Sequence, residues 1–270
     1  MISCASCHNP SFSWGDSLPK GVGHGHKQLG RRTPTILNTA WAPKLFWDGR
    51  AATLEEQALG PIQAEGEMNM PLAGDEGLMK KLDAIPGYKP LFESAYPGEK
   101  VTSQTLAKAI ATFERTVVSN DAPFDKFIKG NNKAISEQAK RGFLVFNNKA
   151  QCNQCHSGWN FTDGSFHDIG VPGEDMGRAK ILPLQSMQFA FKTPTLRNAA
   201  QRAPFMHDGS EKTLEEVVEL YNQGGRVKRG SLSSLIKPLD LTATEKSDLV
   251  AFLHTLESVD KPTMFPILPR

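Results

Sequence analysis

The spacing of apolar residues along the chain predicts helices rather than strands. In segment 136–147 ("SEQAKRGFLVFN"), Ser136 is a typical helix N-capping residue. Ala139, Phe143 and Phe146 follow at the three- and four-residue spacing of one helix face. This segment therefore predicts an amphipathic helix.

Two further segments, 104–118 and 244–256, show the same periodicity, whereas alternating strand patterns are nearly absent. The Gly-rich segments 21–30 and 164–177 are typical of loops. The sequence therefore predicts a mainly α fold with long irregular connections and little strand.

Two stretches of the first half return in the second half at one constant offset. The segment "TPTILN" at 33–38 recurs as "TPTLRN" at 193–198, and "DGRAATLEE" at 48–56 recurs as "DGSEKTLEE" at 208–216. Both pairs are 160 positions apart. Because two separate matches in one register rarely arise by chance, they indicate an internal duplication with a boundary near Gly130.

We therefore predict two tandem domains, 1–130 and 131–270. The helix predicted before Cys152 has no counterpart before Cys4. A net charge of +2 gives no basis for binding nucleic acid. No apolar run reaches the roughly 18–20 residues that cross a bilayer, and no secretory signal precedes the first motif. We expect a mature or trimmed chain that does not span a membrane.

All four cysteines of the chain lie in two Cys-x-x-Cys-His motifs. The motifs are Cys4, Cys7 and His8, and Cys152, Cys155 and His156. This pattern is the attachment signature of haem c, in which both thiols bond to the porphyrin and the histidine ligates the iron. One structural zinc, a thioredoxin-like redox pair or two disulfides are the alternatives. None of them accounts for a histidine directly after both pairs, so two covalent haems are favoured.

The order and spacing of several blocks resemble the bacterial di-haem cytochrome c peroxidase family, which includes the MauG-type enzymes. The blocks are "CASCHNP", "TPTILN", "FWDGRAATLEEQ", "GPIQAEGEM", "TFERTVVS", "CNQCH", "FKTPTLRN" and "PFMHDG". The resemblance covers nearly the whole chain and implies two cytochrome c-like α domains. It also implies that the first haem reacts with hydrogen peroxide while the second relays electrons to it.

Two polar residues in the first repeat have apolar counterparts in the second. Gln57 and Glu67 correspond to Val217 and Val227. Both could be solvated surface residues, which is the usual place of Gln and Glu. By resemblance, both line the distal pocket of the first haem, and Glu67 is the catalytic acid–base.

Trp47 corresponds to His207 in the repeat. A tryptophan at this place could be a core aromatic, but the resemblance implies an electron bridge between the haems. Tyr221 corresponds to Pro61 and could be a structural tyrosine. By resemblance to the MauG-type enzymes it is the sixth ligand of the second haem, with Met206 as the competing candidate. A thioether ligand favours reduced iron, whereas a phenolate favours oxidised iron.

Other positions concern the resting state and a possible calcium ion. His24, in the segment "GVGHGHKQLG", matches a histidine that caps the first haem of related peroxidases at rest and is later displaced. The sequence does not decide between this capped state and an open one. The family also has a calcium ion between its domains, and the matching positions here are Arg32 and Arg202, with a backbone carbonyl from Pro204. Two arginines disfavour a cation.

The resemblance implies an enzyme that reduces hydrogen peroxide at the His8 haem with electrons from a small cytochrome c or cupredoxin. The alternative, favoured by Tyr221, is a MauG-like enzyme that oxidises tryptophan or tyrosine residues of a partner protein. A third possibility is a di-haem electron carrier, which would have no use for Glu67. Because haem is attached to such motifs outside the bacterial cytoplasm, we expect a periplasmic or cell-surface location. The oligomeric state stays open, with a homodimer among the alternatives.

Overall fold

Helices and irregular loops make up the fold. The computed structural model describes residues 2–258 and 266–270. The α-helices are α1 (Cys4–Cys7), α2 (Leu54–Gln63), α3 (Leu78–Asp83), α4 (Tyr88–Ala95), α5 (Ser103–Thr116), α6 (Pro123–Ile128), α7 (Glu137–Asn147), α8 (Leu214–Asn222) and α9 (Ala243–His254). Short 3₁₀ helices cover Pro10–Phe12, His24–His26, Thr39–Trp41, Cys152–Gln154, Arg178–Lys180, Gln185–Met187 and Ala199–Gln201. The strands β1 (Phe166–His167) and β2 (Phe191–Lys192) pair antiparallel, with Phe166 opposite Lys192.

The three helices predicted from periodicity are present as α5, α7 and α9. The α7 helix begins at the predicted cap, because Ser136 Oγ accepts a hydrogen bond from Ala139 N at 3.1 Å. Thr102 and Thr242 cap α5 and α9 in the same way, each two residues before the predicted start. The prediction of a mainly α fold with little strand is confirmed. Over residues 2–258 and 266–270, no helix has both the length and the apolar composition that a membrane crossing requires.

The sequence repeat is also a repeat of local structure. An isolated β-bridge joins Leu45 to Ala51, and a second bridge joins Phe205 to Glu211 exactly one repeat offset later. Each bridge leads into a helix that begins after a threonine cap, α2 in the first copy and α8 in the second. The two halves therefore have the same turn, cap and helix in the same order.

Equivalent asparagines anchor the two copies to each other. Asn38 and Asn198 both have left-handed backbones, with φ of 58° and 55°. Asn38 Oδ1 accepts from Ser119 N at 2.9 Å, and Asn198 Oδ1 accepts from Ser258 N at 3.1 Å. Ser119 Oγ donates to Asn198 Oδ1 at 2.7 Å. These buried hydrogen bonds fix the ends of α5 and α9 beside one another.

The cores of the two copies differ in size. In the second copy α7 packs across α9, and Phe252 is surrounded by Phe143, Phe146 and Phe161 and by Phe124 from α6 of the first half, with ring centroids 5.1–6.2 Å away. In the first copy the buried apolar cluster contains only Leu45, Ala51, Leu54 and Ala111. No helix of the described chain covers α5 as α7 covers α9, and Phe113 on α5 is 49% exposed.

Candidate haem and peroxide site

One cavity runs between the two copies and reaches the histidines of both motifs. Its wall is mostly apolar and contains side chains from both halves. The predicted site residues on this wall are His8, Trp47, Gln57, Cys152, Cys155, His156, Met206 and Tyr221. Cys4, Cys7, His24 and Glu67 lie outside the wall. The structure therefore brings most of the predicted residues together.

Both motif histidines are held in the orientation that an iron ligand needs. His8 Nδ1 lies 3.2 Å from the Trp14 carbonyl oxygen, and His156 Nδ1 lies 3.0 Å from the Phe161 carbonyl oxygen. Burial lowers the pKa of both imidazoles and so favours the neutral form. A neutral imidazole that donates its Nδ1–H to a carbonyl keeps Nε2 available for a metal. The donor set of both motifs fits a haem iron.

The thiols are free and are positioned alike in the two motifs. His8 N donates to the Cys4 carbonyl and His156 N donates to the Cys152 carbonyl, both at 2.8 Å. Burial raises the pKa of Cys152 to about 12 and that of Cys155 to about 11. The thiols of the second motif are therefore protonated and lie on the apolar cavity wall.

The structure does not support the single zinc site. Among the described residues, the one group of three side chains that could hold a metal ion is Cys155, Asp163 and His167, with ligand atoms within 4.8 Å of one another. It contains a single cysteine, and His167 Nε2 is already 3.0 Å from Asp163 Oδ2. The four cysteines thus form two separate pairs.

Glu67 lies in the loop after α2, half-buried near the first motif. Glu67 N donates to the Ala64 carbonyl at 2.9 Å, which folds the loop back onto the helix end. Burial raises the pKa of Glu67, with Arg50 acting in the opposite direction, and Glu67 is close enough to raise the pKa of Cys7. Its carboxylate makes no hydrogen bond within the described structure. Such a carboxyl group can both take and give a proton.

Gln57 lies on α2, and its side chain is on the cavity wall. Its counterpart Val217 lies on the same wall in the second copy. The two copies therefore present an amide and an isopropyl group to the cavity at equivalent positions.

Tyr221 and Met206 both reach the cavity wall of the second copy. Burial raises the pKa of Tyr221, and the nearby Cys152 and Cys155 thiolates would raise it further. The Tyr221 hydroxyl makes no hydrogen bond to any described residue, so it is available to a ligand. Which of the two side chains is the sixth ligand stays a prediction.

Trp47 lies where the two copies meet. Its Nε1 donates to the Arg32 carbonyl at 2.8 Å, and its own carbonyl accepts from Lys192 N at 2.8 Å. Arg32 N in turn donates to the carbonyl of His207, the repeat counterpart of Trp47, at 2.7 Å. The indole is therefore held by a backbone carbonyl of the first half, and the backbone of Trp47 is bonded to the second half.

His24 lies outside the cavity in this structure. Its backbone N donates to the Glu67 carbonyl at 2.6 Å, so the two loops are in contact, but its side chain is exposed. Its role as a displaceable ligand stays a prediction.

The position at which the family resemblance implies calcium is occupied by side chains. Arg32 Nη2 donates to the Arg202 carbonyl, and both guanidinium groups are buried. Because a carbonyl that already accepts from a cation is a poor ligand for another cation, calcium does not fit beside these arginines. The carbonyl of Pro204 alone would not make a site.

One further carboxylate on the wall was missed by the sequence reasoning. Glu114 on α5 is buried, its Oε2 has no hydrogen-bond partner, and it is close enough to raise the pKa of Cys4. Burial raises its own pKa to about 7. Since Val117 and Leu256 bond to the equivalent asparagines, the ends of α5 and α9 align, and Glu114 corresponds to Leu253. That alignment of the two helices was the signal available in the sequence.

Comparison with known proteins identifies the family. The family model for di-haem cytochrome c peroxidase matches residues 1–133. The methylamine utilization protein MauG of Methylorubrum extorquens is 48% identical over 99% of this chain and 76% of the relative. The cytochrome c551 peroxidase of Pseudomonas aeruginosa is 33% identical over 100% of this chain and 77% of the relative.

Solved structures agree with this match. A MauG-like protein associated with microbial copper homeostasis superposes with a TM-score of 0.85 at 30% identity, over 95% of this chain and 83% of that chain. The di-haem peroxidase BthA from Burkholderia thailandensis gives a TM-score of 0.81 at 25% identity, over 95% of this chain and 81% of that chain. This chain belongs to the di-haem cytochrome c peroxidase family and is a haem-dependent oxidoreductase.

Proposed function

We propose that this chain reduces hydrogen peroxide to water beside its first motif. One haem is bonded covalently to Cys4 and Cys7 with His8 as iron ligand, and the other to Cys152 and Cys155 with His156. When bound, the haems supply the electrons and the iron chemistry that cleave the O–O bond. The observation that carries the proposal is an asymmetry: the first copy offers proton-carrying side chains where the second offers apolar ones.

In this proposal Glu67 moves the protons. Peroxide has to lose a proton from one oxygen and gain one on the other before its O–O bond breaks. The half-buried carboxyl of Glu67 can accept the first proton and return it to the leaving oxygen, because burial raises its pKa toward neutrality. Gln57 positions peroxide through its amide group. Two electrons and two further protons complete the formation of two waters.

Electrons enter at the second haem and cross between the copies at Trp47. The hydrogen bonds of Trp47 to Arg32 and Lys192 support this path, because the first orients the indole and the second joins the Trp47 backbone to the other half. We assign 1–130 as the peroxide-reacting domain and 131–270 as the electron-transfer domain. The electron donor is a small cytochrome c or cupredoxin, and the location is periplasmic because haem c is attached outside the cytoplasm.

The test is steady-state oxidation of a reduced small bacterial cytochrome c by hydrogen peroxide, using haem-loaded protein with and without prior reduction. We expect turnover that saturates with peroxide. A need for prior reduction, removed in His24→Ala, would assign His24 as the displaceable ligand. Electron exchange with cytochrome c in the absence of any peroxide turnover would instead identify an electron carrier and overturn the proposal.

A second candidate is a MauG-like enzyme that spends its oxidising equivalents on aromatic side chains of a partner protein. It is favoured by Tyr221, whose free hydroxyl faces the cavity beside Cys152 and Cys155. It is also supported by the 48% identity to a protein named MauG. As an iron ligand, a phenolate favours oxidised iron and so favours sharing of oxidising equivalents by both haems.

The two candidates separate when one equivalent of peroxide is added without an electron donor. The MauG-like enzyme should show lasting absorption changes at both haems, whereas a peroxidase should change at the first haem only. Tyr221→Met should raise the reduction potential of the second haem and confine the change to the first. Tyr96→Met, directly after α4 and away from the cavity, is the matched control and should behave as wild type. Lasting changes at both haems in Tyr221→Met would exclude a role for the phenolate.

A further inference from the structure

Two buried arginines on the cavity wall have no carboxylate partner. Arg32 is 5% exposed and Arg202 is 6% exposed, and in the part of the chain that the structure describes neither forms an ion pair with an acidic side chain. Other arginines of this region are paired in the usual way. Arg31 bonds to Asp48 and Asp175 at 2.6 Å, and Arg197 bonds to Asp125 at 2.8 Å.

The donors of the pair are only partly used. Arg32 Nη2 donates to the Arg202 carbonyl, but Arg32 Nε is buried without a partner. Arg202 donates to the carbonyls of Asn198, Thr195 and Arg197 at 2.9–3.2 Å through Nε and Nη2. None of these acceptors carries a charge. Both guanidinium groups therefore sit on the wall as unneutralised cations.

This arrangement is unfavourable for the chain alone. Burial lowers the pKa of Arg32 to about 10. Burial and the positive charge of the nearby Arg32 together lower the pKa of Arg202 to about 9. The Asp16 carboxylate acts in the opposite direction and raises the pKa of Arg32. It makes no ion pair with Arg32, however, and accepts a hydrogen bond from Thr33 Oγ1 at 2.6 Å. Both arginines remain charged at neutral pH, and two buried like charges destabilise a protein unless an anion joins them.

The whole wall has the same imbalance. Among the described residues, its Arg and Lys side chains are Arg32, Lys192, Arg202 and Lys237, whereas Glu114 is its one carboxylate. Lys192 makes no side-chain hydrogen bond to the described residues, and burial lowers its pKa to about 8. A haem carries two propionate carboxylates, so two haems bring four negative charges into a cavity lined by these cations.

We infer that Arg32 and Arg202 bind propionate carboxylates of the two haems where the copies meet, and that this pair makes a divalent cation unnecessary there. The inference rests on haem being attached at both motifs. Arginine suits this position, because its fork of N–H donors can bond a carboxylate in bidentate fashion while its charge is neutralised.

The pair also bears on electron transfer. The Arg32 carbonyl accepts from Trp47 Nε1, so the residue that binds a propionate is the residue that orients the indole. A buried cation beside a haem stabilises reduced iron relative to oxidised iron. Arg32 and Arg202 therefore raise the reduction potentials of the haems they contact.

The experiment is a spectroscopic redox titration of the haem-loaded protein without peroxide, so that its outcome is independent of the peroxidase proposal. We expect Arg32→Gln and Arg202→Gln to lower at least one haem potential and to shift the propionate bands in the resonance Raman spectrum. Arg178→Gln is the matched control, since Arg178 bonds to the carbonyls of Asp48 and Gly49 but is not on the wall. Its potentials should equal those of wild type.

Metal analysis supplies the second arm. Dialysis of wild type against a chelator should leave its potentials unchanged, with no stoichiometric calcium before dialysis. If Arg32→Gln does not fold, Arg32→Lys decides, because it keeps the charge and should keep most of the potential. Unchanged potentials and Raman bands in the folded arginine variants, or one calcium ion per chain whose removal alters the potentials, would overturn the inference.

Discussion

The two copies of the repeat share a backbone frame and differ in the side chains directed at the cavity. Both have the bridge before a capped helix, the left-handed asparagine, and a motif histidine bonded to a carbonyl. Three polar side chains of the first copy, Gln57, Glu67 and Glu114, correspond to the apolar Val217, Val227 and Leu253 of the second. In the proposed function, the features common to both copies hold a haem and those of the first copy alone handle protons.

The copies also differ in how they are stabilised. The second copy buries an aromatic cluster between α7 and α9, whereas the first has a small aliphatic cluster and leaves Phe113 on α5 half exposed. Burial of aromatic side chains dominates the stability of a core of this size. The first copy is therefore the more weakly packed of the two, and we expect the second copy to be the more rigid.

The largest effect is expected from removing the acid that only the first copy has. Glu67→Gln should lower peroxide turnover by roughly 100- to 10,000-fold, because an amide cannot exchange the proton that the O–O bond cleavage needs. The measurement is the steady-state rate of cytochrome c oxidation at saturating peroxide, together with the reduction potentials of both haems.

The matched control is Glu65→Gln, in the same loop. Glu65 is exposed and bonds only to Lys27, at 3.1 Å, so this variant should keep the wild-type rate. Loss of turnover in both variants would show that the charge of the loop, and not the proton of Glu67, is what matters. Unchanged potentials in Glu67→Gln are expected from a proton carrier.

The packing difference can be tested at the contact of α7 with α9. A Cβ on Gly142 would lie 1.9 Å from the Asp248 carbonyl oxygen, and this neighbour is backbone that cannot turn aside. We expect Gly142→Ala to lower the free energy of unfolding by about 3 kcal/mol, the upper end of ordinary overpacking. The clash exceeds the roughly 1 kcal/mol that alanine gains over glycine in a helix.

Urea unfolding of the haem-loaded protein measures this change. Gly30→Ala is the control, because no atom lies within 4 Å of a Cβ added there, and its effect should stay below about 0.5 kcal/mol. Equal stability of Gly142→Ala and wild type would mean that α7 can move on α9. The rigid packing assigned to the second copy would then be wrong.

The next effect concerns Glu114, the buried acid of the first copy that corresponds to Leu253 in the second. Burial raises the pKa of Glu114 from the ordinary 4.5 to about 7, so the folded protein holds this proton more tightly than the unfolded chain. The free energy of unfolding should therefore fall as pH rises from 4.5 to 7 and level off above. Glu114→Gln should be more stable than wild type at pH 8, on the order of 2 kcal/mol, and equal to it near pH 4.

Urea unfolding of Glu114→Gln and wild type at pH 4 and pH 8 measures this difference in the free energy of unfolding. Glu55→Gln is the contrasting variant, because Arg115 lowers the pKa of Glu55 through a 2.8 Å ion pair, so no gain at pH 8 is expected there. A stability difference between Glu114→Gln and wild type that does not change with pH would contradict a buried neutral carboxyl group.

The comparison of the two copies also explains which features of the fold and the site could be predicted from the sequence. Ser136 and the periodic stripe behind it predict α7, because a cap and an apolar face act locally. The offset of 160 reveals the shared frame, and Glu67 is found because it breaks that repeat. Glu114 was missed because α5 and α9 align at an offset other than 160, which the hydrogen bonds of the equivalent asparagines make plain.

Contacts between distant segments could not be predicted either. The bond from Arg32 to the Arg202 carbonyl joins positions 170 residues apart, and sequence reasoning placed these arginines only as obstacles to calcium. The carbonyls of Trp14 and Phe161 that hold the motif histidines are backbone atoms, and no residue type marks them. Such features arise from the tertiary fold and have no local signature.

The smallest effect tests whether the shared frame is energetically the same in both copies. Thr53 caps α2 and Thr213 caps α8, where each hydroxyl accepts from the backbone N three residues on, at 3.1 and 3.2 Å. Thr53→Ala and Thr213→Ala should each lower the free energy of unfolding by about 1 kcal/mol, because each exposes the same unpaired N–H group. Urea unfolding compares the two, and the double variant should show the sum, since the caps share no partner. A markedly larger loss of unfolding free energy in Thr53→Ala than in Thr213→Ala would mean that the weakly packed first copy depends more on local hydrogen bonds. The two copies would then have the same cap geometry, but the cap would contribute unequally to their stability.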